Sequence, residues 1–384
     1  MKNILVVDDS ALMRRVLSDI INKDDELHTD TSAGDGLEAL QLLESGKQFD
    51  AIVLDIIMPK MNGLELLEVL NVRKGKEKVI VVSTIAKEGA KETIRALELG
   101  AFDFVTKPGS LSDAKSDDFA QRILERLYMA VGLEWTEAKS ILLSAESPTE
   151  KVSSVQREDR KMQALKSLYT NRKDTLKSDR SRHSGLVAEK GARKLVAIAC
   201  STGGPKALQS VIPYLPANLD AAVLLVQHMP VGFTASLSSR LDELSAISVK
   251  EARDGEVIQK GTVYIAKGGS QMRLVQKNKQ EHCLSVREEE ARNGLKPCAD
   301  IMYESLRKMA FDDITCVVMT GMGADGTKGI LQLEQTNKIY VIAQDAASCT
   351  VYGMPKAIAD AGAVDEVQDL KKIADAITKH VGVL

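Results

Sequence analysis

The sequence has no run approaching the ~18 apolar residues that a membrane-spanning helix needs. Its N-terminus reads MKNILVVDDS. The apolar run ILVV is short and acidic residues follow at once, so it does not read as a signal peptide. Paired cysteines are also lacking. The five cysteines, Cys200, Cys283, Cys298, Cys316 and Cys349, all fall in the second half with no CxxC spacing. An odd, unpaired set fits reduced thiols better than a disulfide framework. Charge of one sign is lacking too: 51 Lys and Arg stand against 54 Asp and Glu, a net charge of -3. No global field points to nucleic acid or to a membrane surface. These absences predict a cytoplasmic chain.

What is present is an ordinary globular balance, 44% hydrophobic and 27% charged over 384 residues. That length suggests two or three domains, each half able to bury its own core. Residues 1–108 alternate short apolar runs with amphipathic segments. Strands are predicted at Ile4–Val7, Leu27–Thr31, Ala51–Leu54, Val79–Val82 and Asp103–Val105, and helices at Ala11–Ile21, Leu64–Leu70 and Asp117–Met129. Such alternation implies a parallel sheet with helices on both faces. From Glu150 to Arg182 there are ten Lys/Arg and five Asp/Glu with almost no apolar periodicity, a linker composition with a helical fragment around Met162–Leu168. Ordered patterning resumes at Lys194. Strands are predicted at Leu195–Ala199, Ala222–Gln227, Thr262–Ile265, Ile314–Thr320 and Lys338–Ala343, with helices at Lys206–Tyr214 and Gly326–Gln335.

In the first half, Asp8 and Asp9 follow strand one, Asp55 follows strand three and Lys107-Pro108 follows strand five. In a doubly wound parallel sheet, chemistry gathers beyond the carboxyl ends of the strands. Three carboxylates there repel one another, and a hard divalent cation such as Mg²⁺ resolves the conflict. Lys107 adds a point charge suited to a phosphoryl group, and Ser83-Thr84 offers a hydroxyl. The implied chemistry is phosphorylation of Asp55. Each acid alone reads as a turn or capping residue; their joint placement at strand ends argues against that.

VVDDSALMRRVL, LDIIMPKMNGLELL, VVSTIA and ALELGAFDFVTKP resemble the response-regulator receiver domain. The resemblance implies Asp55 as phospho-acceptor. It implies Mg²⁺ held by Asp9, Asp55 and the backbone carbonyl of Ile57, with Asp8 in support. Ser83 would be the switch hydroxyl and Phe104 the switch aromatic.

In the second half, KLVAIACSTGGPKAL reads as strand, glycine-rich turn and helix, with Pro205 suited to the first helical turn. Ser201 therefore sits between a strand end and a helix start, where free N–H groups favour a developing negative charge. Among the five histidines, only His228 ends a buried-type strand, AVLLVQH; His282 lies in the polar stretch QKNKQEHC. The strand ITCVVMT runs into GMGADG, which places Asp325 on the same edge. The set Ser201, His228, Asp325 is a hydroxyl, an imidazole and a carboxylate at three strand ends. The residue two before Ser201 is Ala199, so the G-x-S-x-G elbow is absent. Each residue has a bland role open to it: helix cap, core histidine, turn acid. Cys200 is read as a small core hydrophobe rather than a nucleophile.

ACSTGGP, LLVQHMP, YIAKGGSQMRL, VVMTGMGADG and AQDAASCTVYGMPKAI resemble the catalytic domain of the chemotaxis protein-glutamate methylesterases. The resemblance implies Ser201 as nucleophile, His228 as general base and acid, and Asp325 as orienting carboxylate. It also implies that the backbone N–H of Met322 helps bind the oxyanion, with Thr202 and Gly203 as support. It implies demethylation of receptor glutamate esters, deamidation of receptor glutamines, a histidine kinase as phosphodonor, and a receiver that restrains the esterase until phosphorylated. The esterase step needs no cofactor. Three departures accompany it: Ala199-Cys200 where Gly-Ala is usual, Lys267-Gly268-Gly269 where Pro-Gly-Gly is usual, and Cys298 where serine is usual. The expected organisation is a receiver at 1–130, a charged linker at 131–190 and a catalytic domain at 191–384. Both folded parts are expected to be α/β with doubly wound parallel sheets, the first flavodoxin-like and the second Rossmann-like. Two other readings stay open: a receiver-controlled binding module, and an esterase or amidase of another sensory pathway.

Overall fold

The computed structural model describes residues 1–135 and 193–384, except 74, 85, 279 and 280. The expected linker and the helical fragment at Met162–Leu168 lie outside the described residues. Contacts divide the chain into two compact units, an N-terminal one that also takes in Pro230–Leu237 and a C-terminal one.

The first unit is built on β1 (Lys2–Val7), β2 (Leu27–His28), β3 (Ser32–Ala33), β4 (Ala51–Asp55), β5 (Lys78–Ser83) and β6 (Asp103–Thr106). Its strand order is β2-β1-β4-β5-β6, with β3 also on β1 and every pairing parallel. Counting β2 and β3 as one, this is the flavodoxin-like order. Ile4–Val7 and Ala51–Asp55 are buried along their whole lengths, as strands covered by helices on both faces must be. The helices start where side chains can cap them: Ser10 accepts from Met13 N–H, Asp35 from Glu38 N–H and Ser116 from Phe119 N–H. Leu133 and Trp135, beyond the last helix (Asp117–Val131), still pack against the core.

One expected strand, Leu27–Thr31, is broken into β2 and β3. The Asn22 amide donates to Thr29 O and accepts from Thr29 N–H, both at 2.9 Å. Thr29 thus satisfies its backbone on a side chain and leaves the ladder.

The second unit is a seven-stranded, all-parallel sheet. Its strands are β7 (Lys194–Cys200), β8 (Ala222–Gln227), β9 (Ser248–Glu251), β10 (Thr262–Ile265), β13 (Asp313–Val318), β14 (Ile339–Gln344) and β15 (Glu366–Gln368), in the order β15-β14-β13-β7-β8-β10-β9. A two-stranded antiparallel hairpin, β11 (Gln271–Gln276) and β12 (His282–Arg287), stands apart from it. The chain winds outward in both directions from β7, so the edge beside β7 is the topological switch point, where ligands of such sheets bind. The helix expected at Lys206–Tyr214 splits into Gly204–Gln209 and a 3₁₀ turn at Ile212–Tyr214. Pro213 has no N–H with which to continue an α-helix. His282, read in a polar stretch, begins β12, is buried and stacks on the Phe311 ring.

Candidate functional site

Ser201 follows β7 and opens the turn into the helix Gly204–Gln209. On one side β8 is in register, Cys200 opposite Gln227, and His228 N–H donates to Cys200 O at 3.2 Å. His228 therefore stands opposite Ser201, one step beyond a pair of strands about 4.8 Å apart. On the other side Ser201 N–H donates to Thr320 O at 3.0 Å. Gly321 approaches so closely that a Cβ there would stand 2.8 Å from Ser201 Cβ and 2.4 Å from Met354 Sδ. Only glycine fits that position.

Asp325 lies in the turn after β13. Its Oδ2 is 2.8 Å from His228 Nε2 and accepts from Ala299 N–H at 2.6 Å. Its Oδ1 accepts from the N–H groups of Asp300 and Gly326, both at 3.0 Å, and from the Cys298 thiol at 3.1 Å. Burial alone would raise the pKa of this carboxyl. His228 and the main-chain N–H groups of Asp300 and Ala299 outweigh burial and hold it at about 2. Asp325 is thus an anion at any neutral pH, aimed at the imidazole. Because Nε2 is engaged, Nδ1 is the nitrogen left for a hydroxyl. Among the described residues no hydrogen bond joins Ser201 Oγ to His228; the two are neighbours without being locked together, a frequent feature of sites without substrate.

The remaining expected site residues surround this set. The main-chain N–H of Met322 has no acceptor among the described residues and is available to an oxyanion. Gly321 O accepts from the N–H groups of Gly353 and Met354 at 3.1 and 2.8 Å, which fixes the loop that carries Met322. Thr202 O accepts the Thr320 hydroxyl at 2.9 Å. Gly203 takes φ 77° at the helix start. Cys200 is fully buried, its thiol pushed upward in pKa by burial and 3.1 Å from Gln227 Oε1. It has neither the exposure nor the thiolate character of a nucleophile.

At the carboxyl edge of the first sheet, Asp8, Asp9 and Asp55 bring one carboxylate oxygen each within 4.8 Å of one another. Lys107 Nζ lies 2.6 Å from Asp55 Oδ2 and 3.0 Å from Asp8 Oδ2. Burial raises the Asp55 pKa, Lys107 pulls it back and the Asp8 charge adds to the rise. Burial opposes the Lys107 charge, yet Asp55 and Asp8 together raise its pKa. One ammonium against three carboxylates, Asp8 and Asp55 buried and Asp9 exposed, leaves a negative excess, a donor set that suits a hard divalent cation. Asp8 Oδ2 has no aligned hydrogen bond, so it has capacity for one. Ile57 N–H lies 3.4 Å from Asp55 Oδ1. Ser83 is buried with its hydroxyl on Gly89 O at 3.1 Å rather than on Asp55. Phe104 is buried on β6.

The family described as CheB methylesterase matches residues 196–377, and the response regulator receiver domain matches residues 4–116. A protein-glutamate methylesterase/protein-glutamine glutaminase of Symbiobacterium thermophilum is 41% identical over 99% of this chain and 97% of its own length. The protein of the same name from Bacillus subtilis is 37% identical over 99% of both. The chain belongs to the CheB methylesterase family. The catalytic domain of Thermotoga maritima CheB methylesterase is 38% identical, with a TM-score of 0.47, covering 51% of this chain and 100% of that one. Like its family, this methylesterase is a hydrolase under response-regulator control that acts in chemotaxis adaptation.

Three further residues hold the candidate site in roles that sequence alone does not give. The Gln227 amide donates to Ser201 O at 3.0 Å and to His228 O at 3.2 Å, tying the two strand ends together. Its signal was a lone amide closing the apolar run AVLLVQ. Cys298 and Asp300 flank Asp325 from the helix Ala299–Ser305 and its N-cap. Cys298 stood out only as a departure from the family's serine and Asp300 not at all, because the partner they hold is 25 to 27 residues away.

Proposed function

We propose that Ser201, His228 and Asp325 hydrolyse methyl esters of glutamate side chains on chemoreceptors, and that phosphorylation of Asp55 switches this activity on. The observation that carries the reading is the 2.8 Å contact of His228 Nε2 with Asp325 Oδ2, made where His228 stands opposite Ser201. Ser201 Oγ attacks the ester carbonyl while His228 Nδ1 takes its proton. The oxyanion is met by Met322 N–H, with the turn Thr202–Gly203 in support. Return of the proton to the departing oxygen releases methanol and leaves an acyl-serine. Water, deprotonated by His228, then cleaves the acyl bond, giving the glutamate carboxylate and restoring Ser201. The same cycle on a glutamine side chain releases ammonia, which is the deamidation proposed for this chain.

In the N-terminal unit Asp55 is the phospho-acceptor, supplied by a chemotaxis histidine kinase. Asp9, Asp55 and the carbonyl of Ile57 would hold Mg²⁺, with Asp8 behind them. Bound there, the ion neutralises charge on the incoming phosphoryl group. Lys107 is placed to pair with the phosphoryl oxygens once Asp55 is modified, and Ser83 and Phe104 would respond to it. This work belongs in the cytoplasm, where the kinase and the receptor tails meet.

The test is release of volatile methanol from methyl-labelled receptor membranes. The wild-type chain should release it and Ser201→Ala should not. Full release by Ser201→Ala would remove Ser201 as the nucleophile and favour a role for the STGGP turn in binding alone.

A further inference from the structure

Asp300 is a buried carboxylate that the proposed reaction leaves without a task. It is 3% exposed, and among the described residues no cation pairs with it. Its Oδ1 accepts Gly326 N–H at 2.9 Å and Gly329 N–H at 2.7 Å. The same Gly326 N–H lies 3.0 Å from Asp325 Oδ1. One main-chain donor is therefore shared by two carboxylates, so their oxygens are no farther apart than two N···O lengths. The main-chain N–H of Asp300 completes the link by donating to Asp325 Oδ1.

We propose that Asp300 is a positioning residue for the esterase: its side chain fixes the turn that presents Asp325, and its negative charge adds to the field that favours a protonated His228. The inference rests on the Ser201–His228–Asp325 reading and deepens it. The turn needs the anchor because Gly326 has φ 93°, a left-handed conformation that no regular element maintains. Two N–H bonds to one carboxylate oxygen supply it. The charge matters because Asp300 places a second buried carboxylate beside Asp325, the one that contacts the imidazole, and added negative charge there stabilises the imidazolium.

The groups facing Asp300 are few. Asp325 and Cys298 lie on one side, with Glu304 and Tyr303 on its own helix. Arg292 comes from the preceding loop with its guanidinium paired to Glu304 at 2.7 Å. The packed helix Thr327–Glu334 presents the Gly329 N–H. Burial first, and then the Asp325 charge, raises the Asp300 carboxyl to about 6. A carboxyl there is still mainly ionised at neutral pH.

The substitution that separates charge from anchoring is Asp300→Asn in the full chain. The amide oxygen keeps both N–H contacts and the charge is lost. The acid limb of the kcat/KM–pH profile is expected to move to lower pH by about 0.3 to 1 unit, the size expected for one charge within a partly screened site. The midpoint of the His228 ring resonances, followed by NMR, should move the same way. The NMR readout does not need turnover, so it holds in a Ser201→Ala background even if the proposed chemistry is wrong. A limb and a midpoint that superimpose on wild type, or that move to higher pH, overturn the proposal. So does an Asp300→Asn chain that fails to fold, because both anchoring contacts survive in it. Asp300→Ala, which removes both acceptors, should lower kcat at least tenfold with KM changed less than threefold. Loss in KM alone would assign Asp300 to substrate contact instead.

Discussion

His228 Nε2 lies 2.8 Å from Asp325 Oδ2, which leaves Nδ1 for a hydroxyl. The active tautomer therefore carries its proton on Nε2, and the Asp325 anion enforces it. Asp325→Asn preserves shape but can present an N–H to Nε2, which selects the wrong tautomer and removes the charge. The expected result is a fall in kcat of about 10³-fold or more with KM changed a few-fold at most. Methanol release under saturating receptor is the measurement.

Cys298 stands where serine is usual in the family, and its thiol reaches Asp325 Oδ1 at 3.1 Å. Burial, then the Asp325 charge, pushes that thiol up to about 12, so it remains protonated and donates. Cys298→Ser keeps the donor with a stronger O–H and should match or slightly exceed wild-type kcat. Cys298→Ala removes one of five donors to a buried anion, a loss of about 1–2 kcal/mol. It should lower kcat roughly five- to thirtyfold. Equal rates for the serine and alanine variants would show that the contact contributes nothing.

Gly321 packs directly against Ser201, the proposed nucleophile. A methyl group added there would meet Ser201 Cβ at 2.8 Å and Ser201 N at 3.0 Å. Neither backbone can yield, since Ser201 N–H is bound to Thr320 O and Gly321 N–H to Val351 O, each at 3.0 Å. Gly321→Ala should cost at least about 100-fold in kcat, because displacements near 1 Å at a reacting atom carry losses of that order. Phosphorylation of the N-terminal unit should be untouched, measured as label uptake from a small-molecule phosphodonor.

Much of this was legible in the chain. Buried parallel strands write themselves as unbroken apolar runs, and β8 and β10 fall where Ala222–Gln227 and Thr262–Ile265 were expected. The placement of Ser201, His228 and Asp325 on one sheet edge, and of Asp8, Asp9, Asp55 and Lys107 on another, was legible because strand ends are visible and parallel sheets gather them. What failed to show were effects of one side chain on a distant backbone. The Asn22 amide takes Thr29 out of the sheet. Gln227 bonds two carbonyls, and Asp300 shares a donor with Asp325. The hairpin β11–β12 was missed for another reason. Its strands are only partly buried, β11 ending in two exposed residues and β12 alternating buried with half-buried ones, so no unbroken apolar run marks them.

The acidic pocket makes a prediction about stability as well as phosphorylation. The Asp55 pKa is raised in the folded chain, mainly by burial, so the folded state binds that proton more tightly than the unfolded one. Its contribution to stability is complete below the ordinary carboxyl pKa and is lost as pH rises beyond it. At neutral pH, then, ionised Asp55 weakens the N-terminal unit. Asp55→Asn should raise its thermal midpoint at pH 7 and not at pH 4. Mg²⁺ should raise the wild-type midpoint at pH 7, by the equivalent of about 2.7 kcal/mol when the ion is at 100 times its Kd, with EDTA reversing the effect. The Asn variant, missing one ligand, should respond far less, and it should leave esterase activity indifferent to phosphodonor. A scan in which Mg²⁺ stabilises Asp55→Asn as strongly as wild type would remove Asp55 from the ligand set. A phosphodonor that still accelerates methanol release from the variant would remove it as the site of phosphorylation.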